Sequence, residues 1–177
     1  MNAMTHPRYT RTARALHWLV ALAIAAAFLI AAEFDGLPLT PHKIHLINYH
    51  KWVGLTVLWL AIVRMLWRVA HRPPELPPRL HAWEHEAAHV AHAGLYVLMF
   101  ATPLMGWWLS CAMGFAPNYL GWIRLPSLGA KDKILAELLE PLHVACAWSL
   151  VTLACLHATA AVRHHFVHHD GILHRMI

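Results

Sequence analysis

Apolar residues gather into four runs, at about 15–32, 52–69, 87–111 and 142–162, with polar or turn-rich stretches between them. Each run is long enough to cross a hydrocarbon core about 30 Å thick as a helix. The connections read "EFDGLPLTPHK", "HRPPELPPR" and "FAPNYLGWIRLPSLGAKDK", and there is no internal repeat. Only the tail "HHFVHHDGILH" is compositionally biased. The pattern predicts an all-α integral membrane four-helix bundle, forming a single domain over residues 1–177.

Composition strengthens that expectation. The chain is 59% hydrophobic and 13% charged, with a mean hydropathy of +0.45. Soluble domains usually carry about 25% charged residues, so a water-soluble globule and a disordered chain are both disfavoured. A pI near 9.5 raises nucleic-acid binding, but the basic residues form no single patch interleaved with aromatics. They lie between the apolar runs. Of the 14 Lys and Arg residues, nine belong to the two termini and to the second connection with the helix end before it: Arg8, Arg11, Arg14, Arg64, Arg68, Arg72, Arg79, Arg163 and Arg175. The other five, Lys43, Lys51, Arg124, Lys131 and Lys133, fall on the opposite side. The positive-inside rule then places both termini in the cytoplasm. Five acidic residues (Glu33, Asp35, Asp132, Glu137 and Glu140) share that outer side, so a positive outer funnel would need a local arrangement. The first run also shares the arginine-rich start and small residues of a signal peptide, but its length exceeds the usual core of about 7–15 residues.

Histidine is the anomaly in this composition: there are 17. An ionisable group inside a span is a functional candidate by default, and His17, His50, His89, His92, His143 and His157 lie within or at the ends of spans. His143 and His157 are fourteen positions apart on the fourth run, which puts them on one helix face with a rise of about 21 Å. His50 matches the depth of His143 on the outer side, and His17 matches His157 on the inner side. Paired neutral imidazoles between apolar walls are what six-coordinate haem iron requires. Ala21, Gly54, Ala147 and Ala161, four positions after these histidines, leave room for a flat ring. By spacing alone, His89 or His92 could replace His17 opposite His157, or serve a quinone or proton path at the inner face. Cys111, Cys146 and Cys155 form neither CxxC nor CxxCH, so covalent haem attachment is not indicated.

Two other histidine patterns have competing readings. "HEAAH", His85 to His89, has the spacing of a zinc-protease helix with Glu86 as base and Asp170 as a conceivable third ligand. That reading leaves His17, His50, His143 and His157 unexplained. The tail pairs His164/His168 and His165/His169 have metal-binding spacing, but read more simply as a solvated cytoplasmic end.

Four stretches carry a family resemblance: "ALHWLVALAI", "NYHKWVGLTVLWLAIVRMLWR", "AHVAHAGLYVLMFATPLMGWW" and "LHVACAWSLVTLACLHATAAVRHHF". Together, and in this order, they resemble the bacterial cytochrome b561 family, small four-helix dihaem membrane proteins related to hydrogenase cytochrome b subunits. The resemblance covers nearly the whole chain, the loops less closely. It implies four axial ligands, His17 of "LHW", His50 of "HKWVG", and His143 and His157 of the fourth run, paired His17/His157 and His50/His143. It is the resemblance that favours His17 over His89 and His92. It further implies two non-covalent b haems, residence in the bacterial inner (plasma) membrane and electron exchange with quinone. Some similar proteins are taken to oxidise superoxide at the outer face and reduce ubiquinone. The alternative is a haem-bearing anchor subunit that relays electrons from a dehydrogenase or hydrogenase partner. "HEAAH" is not part of the family pattern.

Overall fold

The computed structural model describes residues 8–71 and 81–177. Four helices account for most of them: α1 (Arg11–Phe34), α2 (Pro41–Ala70), α3 (Ala82–Ala112) and α4 (Lys133–Arg163). All four are long and apolar enough to cross a membrane. Arg72, Arg79 and most of the proline-rich connection lie outside the described residues.

Helix ends follow capping chemistry rather than the limits of apolarity. Thr10 Oγ1 accepts from the Ala13 amide at 3.2 Å, Thr40 Oγ1 from Lys43 at 3.3 Å, and Asp132 Oδ1 from Leu135 at 3.1 Å. Each satisfies an amide that a helix start leaves unpaired. Pro41 occupies the first turn of α2, where its missing N–H costs nothing. The second helix therefore starts well before the apolar run at Trp52. Its 30 residues extend about 45 Å, beyond the hydrocarbon, and place His50 inside a continuous helix.

Helix α1 lies along α2, α3 along α4, and α2 against α3, whereas α1 and α4 meet only sparsely. One buried residue from each helix, Val20, Ala61, Met99 and Leu150, forms the mid-depth core. Leu150 sits halfway along α4 between His143 and His157. Leu22, Leu29, Leu66, Val97 and Leu156 are exposed on the helices, as expected where lipid replaces water.

Both ends of the bundle carry caps that the apolar pattern did not announce. At the end of the bundle that carries His50, the outer end in the orientation expected from the Lys and Arg distribution, β1 (Asn118–Tyr119) and β2 (Ile123–Arg124) form an antiparallel hairpin. It turns through Leu120 and Gly121, both at positive φ. Trp52 Nε1 donates to the Asn118 carbonyl at 2.7 Å, and the Thr56 and Tyr119 hydroxyls meet at 2.9 Å. These bonds dock the hairpin on α2 two and six residues beyond His50.

The C-terminal segment is solvated only in part: His168 and His169 are exposed as expected, but His164 and His165 are half-buried and Arg175 is buried. After one π-helical turn, His164–His168, the chain reverses at His169, which has φ 50°. The Tyr9 amide donates to the Arg175 carbonyl at 3.3 Å, and Trp18 Nε1 to that of Met176 at 2.8 Å. Arg14 donates to the main-chain oxygen of Ile177. Backbone acceptors thus draw the tail back over the start of α1. Within it, His164 Nδ1 donates to the Asp170 carboxylate at 2.6 Å.

Candidate functional site: two imidazole pairs between the helices

Helix α4 turns His143 and His157 toward the two helices it barely touches or does not adjoin. His143 meets His50 of α2 with ring centroids 6.1 Å apart and planes at 86°. His157 meets His17 of α1 at 6.3 Å and 73°. A metal–imidazole bond is about 2 Å and a ring nitrogen lies about 1.1 Å from its ring centre, so two imidazoles trans on one metal have centroids about 6.2 Å apart. Both pairs match that separation. His92 of α3 also touches His157, but at 5.2 Å, which is too short for two trans imidazoles on one metal.

The outer pair is held by the backbone. His50 Nδ1 lies 2.9 Å from the Ala27 carbonyl oxygen, and His143 Nδ1 lies 3.0 Å from that of Thr102. A carbonyl only accepts, so each Nδ1 carries the proton and each Nε2 presents its lone pair. That is the tautomer a metal needs. Gly106 backs His143: a Cβ built there would lie 2.9 Å from His143 Cε1. No atom approaches within 4 Å of a Cβ built on Gly54, one turn beyond His50, so that wall is open to a flat ring. The donor set, its tautomers and the clearance fit b-type haem with two axial imidazoles.

The inner pair is built differently. Neither His17 nor His157 has a hydrogen bond among the described residues; their contacts are rings. Around them stand His92, Arg64 and Arg68, with Tyr96 bridging α2 and α3.

The remaining candidates separate cleanly. His89 turns away from the pair: its Nδ1 donates to the His85 carbonyl at 2.8 Å, and the two rings stack at 6.5 Å. Glu86 is exposed on the same helix. Asp170, the conceivable third zinc ligand, is committed to His164 and to the Ile172 amide. Among the described residues no group of three His, Cys, Asp or Glu converges as a metal site. In the tail, His165 packs on His174 at 4.9 Å rather than on His169.

Sequence reasoning missed Gly106, the carbonyls of Ala27 and Thr102, and the Arg64–Tyr96 contact. Glycine in an apolar run was a signal for the first. The others depend on which helices adjoin.

Comparison with known proteins adds a second line. The family profile described as prokaryotic cytochrome b561 matches residues 8–177. The chain is 32% identical to cytochrome b561 homolog 2 of Escherichia coli (strain K12), over 98% of this chain and 93% of that protein. It is 29% identical to cytochrome b561 homolog 1 of the same organism, covering 96% and 97%. It is also 28% identical to a probable superoxide oxidase CybB of Yersinia pestis, covering 97% of each. With four membrane-spanning helices and a profile match over nearly its whole length, this chain belongs to the prokaryotic cytochrome b561 family.

Proposed function

We propose that this chain is a dihaem electron carrier of the bacterial inner membrane, exchanging electrons with quinone and relaying them between the two membrane faces. The two b haems, when bound, supply the one-electron chemistry. His50 and His143 hold the outer one and His17 and His157 the inner one, both non-covalently, since no CxxCH is present. What carries the reading is the pair of centroid separations, 6.1 and 6.3 Å. Each is the spacing of two trans imidazoles.

The protein's own share of the chemistry is placement and dielectric. Ala27 and Thr102 fix the proton of His50 and His143 on Nδ1 and so aim Nε2 into the site. Val20, Ala61, Met99 and Leu150 keep water out of the layer between the pairs. In this reading both termini face the cytoplasm, which the Lys and Arg distribution supports, and the His17/His157 pair lies on the inner side. His92, in contact with His157, is the histidine suited to proton traffic there.

Superoxide is the outer electron donor in this reading. Its support is the likeness to a probable superoxide oxidase, and the position of Lys51 beside His50, close over the Phe115 ring. A local cation at the outer site attracts an anionic donor.

The test is a haem count by pyridine haemochrome on the purified chain, followed by superoxide-driven ubiquinone reduction in detergent. Two haems per chain and quinone reduction without added partner protein are expected. One haem or none defeats the paired-ligand reading. Two haems with activity only beside a soluble dehydrogenase would assign the chain to a relay subunit instead.

A further inference from the structure

Beside the inner imidazoles lies a cluster of positive charge that makes no ion pair with a carboxylate among the described residues. Arg64 Nε donates to the Tyr96 hydroxyl at 3.2 Å. The Arg64 and Arg68 guanidinium groups stand 5.9 and 5.6 Å from the centroid of that same ring. Arg64 is within electrostatic reach of His17, His92 and His157. Among the described residues the only ion pairs are Lys133–Glu137 and His164–Asp170, so neither arginine meets an acid. Arginine inside a span pairs with an anion or a carbonyl, because lipid offers no solvation. Both arginines, with His92 and Tyr96, line a pocket of about 110 Å³ at the inner end. His92, which lines that pocket, is in ring contact with His157.

We propose that Arg64 and Arg68, oriented by Tyr96, form an oxyanion subsite that grips a carboxylate arm of the inner haem. The proposal rests on His17 and His157 being that haem's ligands. A guanidinium fork matches a planar carboxylate through two parallel hydrogen bonds. Tyr96 holds one fork by its hydroxyl and faces both with its ring, so the pair is aligned before the anion arrives. A lipid phosphate presents similar oxygens. The carboxylate is favoured because His92, one wall of the pocket, is in ring contact with His157.

The experiment is spectroscopic redox titration of the haem-loaded full chain carrying Arg64→Gln, Arg64→Lys or Arg68→Gln. Loss of the positive charge should favour the oxidised inner haem. In Arg64→Gln its oxidised-to-reduced ratio at fixed potential should rise about tenfold, equivalent to about 59 mV for one electron. The outer step should stay in place, and Arg64→Lys and Arg68→Gln should shift less. If Arg64→Gln loses the inner haem altogether, its return in Arg64→Lys supports the subsite and its absence there overturns it. An unchanged inner potential in Arg64→Gln also overturns it.

Reconstitution with haem dimethyl ester, whose carboxylates are blocked, identifies the anion. In haem titration of the inner site, the affinity difference between parent and Arg64→Gln should then vanish, because the guanidinium has no carboxylate left to hold. Its persistence would assign the fork to lipid phosphate and sink the proposal. His17→Ala separates the two layers of inference. Loss of the inner step there leaves the ligand reading standing whatever Arg64 does, whereas two retained steps remove both.

Discussion

The outer and inner imidazole pairs use the same residue type and nearly the same ring separation, yet they are held by different forces. At the outer end, two main-chain carbonyls fix His50 and His143, Gly106 backs one ring without clearance to spare, and a hairpin docks on α2 nearby. At the inner end no carbonyl among the described residues anchors His17 or His157. A third imidazole, two arginines and a folded-back tail surround them instead. Backbone acceptors fix geometry, because they cannot move without moving a helix. Side-chain charges fix potential, because they act over distance and tolerate displacement. The outer site should therefore be the more sensitive to added volume, and the inner site the more sensitive to charge and to the tail.

The sharpest break in that comparison comes from the ligands themselves. His50→Ala and His17→Ala should each remove one whole haem, and different ones, so that redox titration loses a different potential step in each variant. Loss of the same step in both would mean the pairing of His50 with His143 and His17 with His157 is wrong.

Gly106→Ala should come next. The new methyl would overlap His143 Cε1 at 2.9 Å, forcing the imidazole off its carbonyl. Disturbing a supporting contact of this kind typically costs about 10–100-fold in metal affinity. Haem titration should show the outer site weakened by that order and the inner site untouched. Equal weakening of both would indicate a general packing fault.

Removing Ile172–Ile177 should show the opposite selectivity. Those residues accept hydrogen bonds from Tyr9, Arg14 and Trp18, each worth about 1 kcal/mol. Trp18 also contacts His17, with ring centroids 5.3 Å apart. The truncated chain should melt at lower temperature and shift only the inner haem spectrum. A shift confined to the outer haem would contradict the tail's assignment to the inner end.

The smallest effect belongs to Glu86→Gln. An exposed side chain on the first turns of α3 contributes through the helix dipole by about 0.3–1 kcal/mol. Haem content and quinone reduction should be unchanged, and elemental analysis should find no zinc that depends on His85. Stoichiometric zinc lost in His85→Ala, with peptide-bond cleavage by the parent, would revive the metalloprotease reading.

For a simple reason, four spans, their order and two levels of histidine were legible in the sequence, though not which of His17, His89 and His92 stands opposite His157. Hydrocarbon imposes length and apolarity on each crossing segment separately, and helical rise converts residue number into depth. His143 and His157 therefore announced two levels without reference to any other helix. What the chain could not reveal locally was azimuth, the direction in which each helix turns its face. Only the tertiary arrangement, with α1 and α4 apart and α3 beside α4, decides that His92 touches His157 while His89 faces elsewhere. It alone brings the Thr102 carbonyl to His143, and Arg64 to Tyr96. It also returns the tail to α1, because the tail accepts from Tyr9, Arg14 and Trp18 through its own main-chain oxygens, which every residue possesses and no sequence pattern singles out.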